Sequence, residues 1–361
     1  MHHGTPADAH PFGRRYSDRM SAPTDRAVRA TVKDVALRAG VSPKTVSNVL
    51  NGVVFVRPDT RERVEAAMQE LDYVPNLSAR GLRNGRSGIV ALALPTLDSA
   101  YSSEMSHAFV EVAHERGMAV LFEETGAEPQ REWELISRAR AHLIDGVVLN
   151  PVRLDESAVG HGADLPPVVL IGEVEQHRTD QVWVDSVGAA RRMTEHLLER
   201  GCRRIAVVGT VGGGFDSSTA RQRTSGYRAA LEAAGVPHDP RLEVGCQDWT
   251  TANAARAFGA LLDSGVEVDA CFCFTDSMAL GALHALWTRG IRVPDDMLVA
   301  GFDDVDAARF AVPPLTTVAF DKREFATAAL SLLAERFLDR DREPRLVSIP
   351  HRVVVRESTT R

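Results

Sequence analysis

From Gly88 onward, apolar residues come in short unbroken runs, and between the runs they recur three and four apart. The runs are 88–95 (GIVALALP), 119–124 (AVLFEE), 146–151 (GVVLNP), 166–172 (PPVVLIG), 181–185 (QVWVD), 204–209, 241–245, 269–276, 297–303 and 315–320. The amphipathic stretches are 103–116, 130–142, 187–200, 220–234, 251–264 and 277–289. Continuous apolar strands alternating with helices predict parallel sheets covered on both faces. So many units exceed one sheet, so the pattern predicts an α/β body of two doubly wound lobes, the first from 88 and the second from about 186, with a ligand cleft between them.

Before Gly88 the pattern is all-α. In TVKDVALRAG, Thr31 stands as an N-cap with Asp34 three residues on, Val32, Val35, Ala36 and Ala39 form the stripe, and Gly40 ends it. In SPKTVSNVLNG, Ser42 caps, Pro43 opens the first turn, and Val46, Val49 and Leu50 face inward. RPDTRERVEAAMQELDY supplies a third helix through Val64, Ala67, Met68 and Leu71. Two short helices around a Gly-containing turn, then a third, describe a helix-turn-helix head. The outward face of the second helix carries Lys44, Ser47, Asn48 and Asn51, with Pro43 and Thr45 at its start. Hydroxyls and amides there suit phosphates and groove edges, whereas a merely solvated face carries more Glu and Lys.

Charge sharpens the division. Through residue 87 there are 14 Lys+Arg against 9 Asp+Glu, and beyond it 28 against 40. A basic module on an acidic body predicts that only the module meets a polyanion. The longest apolar runs are too short to span a bilayer, and residues 1–25 show no secretory signal, so a cytoplasmic protein is expected. Residues 1–28 read as a disordered tail, with Met1 and Met20 both open as the start. Cys271 and Cys273 in DACFCF read as core, with Cys202 and Cys246 as further thiols; no metal-ligand spacing is present. The glycines of 209–218 (GTVGGGFDSS) fit neither a dinucleotide fingerprint nor a Walker run, and no nucleophile elbow or H-E-x-x-H occurs. No enzyme and no cofactor is expected.

TVKDVALRAGVSPKTVSNVLNG, then VRPDTRERVEAAMQELDYVPNLSARGLR, then two α/β lobes, resembles the LacI/GalR family of bacterial transcription regulators. The resemblance implies the second helix in the major groove of an operator. Pro43, Lys44 and Asn48 match base-contacting positions, although many relatives carry Arg where Asn48 stands. Thr31, Ser42, Thr45, Ser47, Asn51 and Thr60 match phosphate-contacting ones. In the connector VPNLSARGLRNGRS, Leu82 matches a leucine wedged between base pairs of the minor groove. Arg80, Arg83 and Arg86 flank it for phosphate contact, and Tyr73 and Asn76 match anchoring positions. The segment 76–84 is expected to be helical on DNA and frayed without it, since Gly81 costs ~1 kcal/mol relative to Ala in a helix.

The same resemblance implies an effector site at strand ends in the cleft: Asp98, Tyr101, Asn150, Arg223, Trp249, Thr275, Asp303 and Phe320, with Arg223 and Asp303 as the pair most used. Such a set of amides, charges and aromatics suits a sugar. Asp276 reads instead as a helix N-cap, and Ser217 and Thr219 stand nearby. The implied organisation is a tail (1–28), a DNA-binding head (29–75), a hinge helix (76–87) and an effector and dimerisation body (88–361). Lobe one would take 88–185 and 316–342, lobe two 186–315 and 343–361. The expected function is a sequence-specific regulator, a repressor by family habit, binding double-stranded operator DNA as a homodimer under carbohydrate control. Its dimer patches would lie on 103–116 (Met105, Phe109, Val112) and 277–289 (Leu280, Leu283, Trp287). The ending VVVRESTTR lacks a leucine heptad, which points to a dimer. The rival readings are an extracytoplasmic sugar-binding protein, which would begin with a signal peptide, and an α/β enzyme, which would need a nucleophile–base pair.

Overall fold

The computed structural model describes residues 30–50, 55–73, 86–153, 157–161, 165–212 and 216–360. The tail 1–28, Asn51, the hinge segment 76–84 with Asn76, Arg80, Leu82 and Arg83, and residues 213–215 of the glycine loop lie outside them. The chain divides into two compact units, the head and the body.

The head holds α1 (Val32–Ala39), α2 (Pro43–Leu50) and α3 (Pro58–Glu70). The predicted capping box forms: Asp34 N–H donates to Thr31 Oγ1, and Thr31 N–H donates to the Asp34 carboxylate at 2.8 Å. The Thr31 hydroxyl, donating to the same carboxylate at 2.7 Å, together with the Thr31 N–H holds the Asp34 carboxyl below its ordinary value. Gly40 ends α1 at φ +67°, a left-handed turn that favours glycine. Val35, Ala36, Ala39, Val46, Val49, Val64 and Ala67 form one buried core, with Tyr73 packed at its edge. An exposed Arg38–Glu70 pair clips α1 to α3 at 2.6 Å.

The body holds two six-stranded sheets. The first contains β1 (Ile89–Leu94), β2 (Ala119–Glu124), β3 (Gly146–Leu149), β4 (Val168–Ile171), β5 (Asp180–Val184) and β11 (Leu346–Ile349), in the order β11-β5-β4-β3-β1-β2. The second contains β6 (Ile205–Thr210), β7 (Glu243–Gly245), β8 (Ala270–Cys273), β9 (Leu298–Phe302), β10 (Thr316–Phe320) and β12 (His351–Val354), in the order β12-β10-β9-β8-β6-β7. Every pairing is parallel except β10 with β12. The helices are α4 (Ala100–Glu115), α5 (Pro129–Arg140), α6 (Ala158–His161), α7 (Ser186–Glu199), α8 (Ser218–Ala233), α9 (Thr251–Asp263), α10 (Asp276–Trp287), α11 (Asp306–Arg309) and α12 (Lys322–Leu338). Two glycines set how closely the second lobe's helices pack. A Cβ on Gly226 would meet the Val187 carbonyl at 2.2 Å, and one on Gly281 the Thr251 carbonyl at 2.2 Å.

Three expectations are corrected here. Strand 316–320 belongs to the second sheet, and 346–349 to the first, so the assignment of 316–342 to lobe one and of 343–361 to lobe two fails at the first strand of each segment, while α12 does pack on the first sheet and β12 does join the second. Pairing decides it: β10 joins β9 and β12, while α12 crosses to pack on β3, β4 and β5. There the buried Asp180 carboxylate accepts from Arg336 and Arg342, both at the crossing, at 2.7 and 2.6 Å. Secondly, Met105, Phe109 and Val112 are buried in the core, so the patch expected on 103–116 is interior; on α10, Trp287 is exposed while Leu280 and Leu283 are half-buried. Thirdly, Thr275 rather than Asp276 caps α10, accepting from Met278 N–H at 3.2 Å. All four thiols are buried, and Cys271 and Cys273 stand 3.6 Å apart on β8. No helix among the described residues is long and apolar enough to cross a membrane.

Candidate functional site

On the head, Pro43 and Lys44 are exposed and Ser47 and Asn48 half-exposed along one side of α2. Ser42 Oγ accepts from Thr45 N–H at 3.1 Å and lies 2.9 Å from Thr45 Oγ1, so these two hydroxyls fix the helix start as well as facing water. Thr31 is held likewise in its cap. Thr60 lies in the first turn of α3, behind Pro58. The structure thus gives α2 a polar outer face and an apolar inner one, and gathers Thr31, Ser42, Thr45 and Thr60 at helix starts, where backbone N–H groups face anions.

In the body, both lobes have the strand order in which the chain turns outward from the first strand in both directions, and ligands sit at the carboxyl ends of such sheets. A cavity of about 770 Å³ opens there between the lobes. All eight residues expected at the effector site line it: Asp98 and Tyr101 after β1, Asn150 after β3, Arg223 on α8, Trp249 after β7, Thr275 after β8, Asp303 after β9 and Phe320 ending β10. Ser217 and Thr219 line it too. Tyr101 and Phe320 meet tilted at 6.4 Å, and Trp249 stands edge-on to Phe274 at 6.3 Å. Burial raises the Tyr101 phenol, so it remains a donor.

Of the three charged members Asp98 is exposed, and the other two are stored dry. Arg223 is 5% exposed; its Nε donates to Ser186 Oγ at 3.2 Å, its Nη1 donates to the Phe274 carbonyl, and its guanidinium lies 3.4 Å from the Phe302 ring centre. Asp303 is 4% exposed at φ +111°, a conformation rare for any residue but glycine. Its N–H donates to the Val318 carbonyl at 2.9 Å and its own carbonyl accepts from Lys322 Nζ at 2.6 Å, which pins the backbone. Among the described residues no donor meets its carboxylate. Burial pushes that carboxyl up to about 7, against the pull of Arg223 and Lys322. Asp276 behind it is raised well above the carboxylate range by burial and by Asp303, while accepting from Thr317 Oγ1 at 2.6 Å and Val305 N–H at 2.9 Å.

Residues the sequence reading missed complete the wall. Glu173 follows β4 and accepts from Thr219 Oγ1 at 2.6 Å, while its carbonyl accepts from Gln222 Nε2 at 2.7 Å, so it ties lobe one to α8 of lobe two. Asp248 and Phe325 also line the cavity. A second tie runs from Glu104 on α4 to Asp306 N–H at 2.7 Å and to Lys322 at 3.0 Å. Among the described residues, no group of three His, Cys, Asp or Glu side chains is placed to hold a metal.

Residues 31–76 match the model of bacterial regulatory proteins of the lacI family, and residues 194–359 that of a periplasmic binding protein-like domain. The chain is 31% identical over 335 residues to the HTH-type transcriptional repressor PurR of Vibrio atlanticus, covering 92% of this chain and 99% of that protein. This chain belongs to the LacI family of bacterial regulatory proteins. It is also 35% identical over 350 residues to the HTH-type transcriptional regulator CelR of Thermobifida fusca, covering 92% of this chain and 99% of that one. Among solved structures, a LacI-family neighbour described as a CelR–cellobiose complex matches with TM-score 0.66 and 32% identity over 91% of this chain and all of the other. The lac repressor dimer bound to operator and the anti-inducer ONPF matches with TM-score 0.78 and 27% identity over 92% of this chain and 99% of the other. The head is thus the DNA-binding helix-turn-helix of a LacI-family transcriptional regulator, and the body has the family's two-lobed fold.

Proposed function

We propose that this LacI-family protein is a dimeric cytoplasmic repressor whose hold on its operator is set by a carbohydrate bound between the lobes. The observation that carries the reading is the convergence of Arg223 and Asp303, buried without an ion-pair partner at hydrogen-bond distance, on one cavity with Trp249, Tyr101 and Phe320. Buried charges left that way cost stability unless something completes them. Sugar hydroxyls complete both, and aromatic faces cover the C–H side of a pyranose. That the related CelR has been solved with cellobiose supports a sugar over other polar ligands.

On DNA, Pro43, Lys44 and Asn48 read bases: Lys44 donates to guanine and Asn48 pairs with adenine. Thr31, Ser42, Thr45, Ser47, Asn51 and Thr60 hold phosphates, with Tyr73, Asn76, Arg80 and Arg83 setting the hinge, 76–87, and Leu82 the wedge. A ligand that bridges the Glu173 and Glu104 ties favours one lobe arrangement, and its differential affinity for the two arrangements is the regulatory free energy. Trp287, exposed on α10, is the remaining apolar candidate for the dimer face.

Thermal-shift screening of the full chain against sugars and nucleosides tests the sensing half. A sugar that raises the melting temperature is expected also to change operator affinity; a panel without effect on either sinks that half. Leu82→Ala tests the other: operator bending and affinity are expected to fall together, and a bent, tightly held operator in that variant removes the wedge.

A further inference from the structure

The cavity carries an electrostatic choice that neither the family nor the fold dictates. Its lining holds four carboxylates, Asp98, Glu173, Asp248 and Asp303, and among the described lining residues a single cation, Arg223. That cation has little left to offer an anion. Nε and Nη1 are committed to Ser186 and the Phe274 carbonyl, and its face lies on Phe302. Only Nη2 is uncommitted, so the two-pronged grip by which Arg holds phosphate or carboxylate is unavailable without breaking protein contacts.

Helix starts are the other ready source of anion binding. Four helices begin at this cavity, and in each a side chain already takes one of the free N–H groups. Ser99 accepts from Ser102 N–H, Ser217 from Ala220 N–H, Thr250 from Asn253 N–H and Thr275 from Met278 N–H. The Asp303 carboxylate meets no donor among the described residues, and its raised proton affinity, due first to burial, opposed by Arg223 and Lys322 and increased by Glu173 and Glu104, shows that this dry space holds a negative charge at a cost. Hydroxyl hydrogens are what such a wall lacks.

Resting on the carbohydrate reading above, we infer that the cavity admits an uncharged polyol and turns away the phosphorylated or oxidised form of the same sugar. Phosphate and carboxylate forms fail against Glu173 and Asp303.

The test uses the full chain and calorimetric titration with matched sets: neutral mono- and disaccharides, their 6-phosphates and their aldonic acids. The neutral member that binds is expected to lose at least about tenfold in affinity in every charged form, since like-charge contacts in a dehydrated site are strongly unfavourable. A charged form binding as tightly as its neutral parent overturns the inference while leaving the carbohydrate reading intact. A panel in which no sugar of any charge binds takes down the carbohydrate reading itself, and the inference with it. Glu173→Gln keeps an oxygen for Thr219 and removes one charge, so the gap between a neutral sugar and its phosphate is expected to narrow by about threefold or more. Equal melting temperatures of the ligand-free forms show that the fold is kept. A gap undiminished in that variant would mean that shape rather than charge does the excluding, which overturns the electrostatic account.

Discussion

The outer face of α2 and the cavity between the lobes are both polar sites, and they are built in opposite ways. On α2, Pro43 and Lys44 stand in water, with Ser47 and Asn48 half-exposed beside them, over a core of Val46 and Val49 that does not involve them. In the cavity, Arg223 and Asp303 are almost wholly buried, and their backbone and side-chain contacts are woven into the strands around them. A polyanion brings charge enough to be held by solvated groups, and its affinity comes with counterion release. A small neutral ligand brings few contacts, so the protein must hold its polar groups dehydrated and oriented beforehand, at a cost to its own stability. The contrast says that substitutions on α2 should alter binding and spare folding, whereas those in the cavity should alter both.

The largest expected effect is at Arg223. Arg223→Ala removes the packing on Phe302 and leaves the Phe274 carbonyl without its donor, so it should cost about 2–4 kcal/mol in denaturant unfolding and abolish the ligand response. A variant that folds as well as the parent would break the comparison at its stronger end. Asp303 gives it a pH signature. Its folded carboxyl holds a proton up to about 7, whereas the unfolded chain releases it near 4, so stability from this group falls as pH rises through that window. The difference in unfolding free energy between Asp303→Asn and the parent should therefore move in favour of the variant by about 2–4 kcal/mol from pH 4 to pH 8. A difference that stays flat would mean that Asp303 is ionised throughout.

Changes on α2 should be smaller and differently placed. Asn48→Ala should weaken one operator base position by about 1–3 kcal/mol in a competition assay while moving unfolding by less than about 0.5 kcal/mol. A comparable loss of stability would show that this face is structural. Thr31→Ala lies between the two kinds of site, because Thr31 both caps α1 and faces the solvent. It should cost about 1 kcal/mol in melting of the head, with operator binding lowered alongside.

Much of this was legible in the chain because the signals are local. The runs 119–124 and 315–320 are β2 and β10 to within a residue, and the stretch 251–264 is α9. The missing strands β11 and β12 are short and half-exposed, so LVSI and HRVV make no apolar run. The α12 helix escaped notice for the opposite reason. It is buried from several sides through Phe325, Ala329, Leu330, Leu332 and Leu333, which blurs any single stripe. Misplacing 316–320 and 346–349 followed, since which sheet a strand joins is a matter of pairing, with nearby β9 for the first and with distant β5 for the second, and not of its own pattern. The cavity residues were reachable because strand ends mark ligand sites whatever the ligand. Glu173 was missed by position: the run was read to Gly172, whereas β4 stops at Ile171 and the next two residues form the rim.

The chain passes from one lobe to the other three times, at 184–186, 320–322 and 349–351. Ile349 pairs with Val184 on one side, and His351 with Phe320 on the other, so the three passages run side by side. A single passage would let the halves twist and slide as well as part. Three abreast act as a strap hinge, leaving one cheap coordinate, opening and shutting about a line across the strap. On the proposed reading, a ligand that stiffened that swing would be felt wherever the lobes end, with no wire needed to carry news from the cavity.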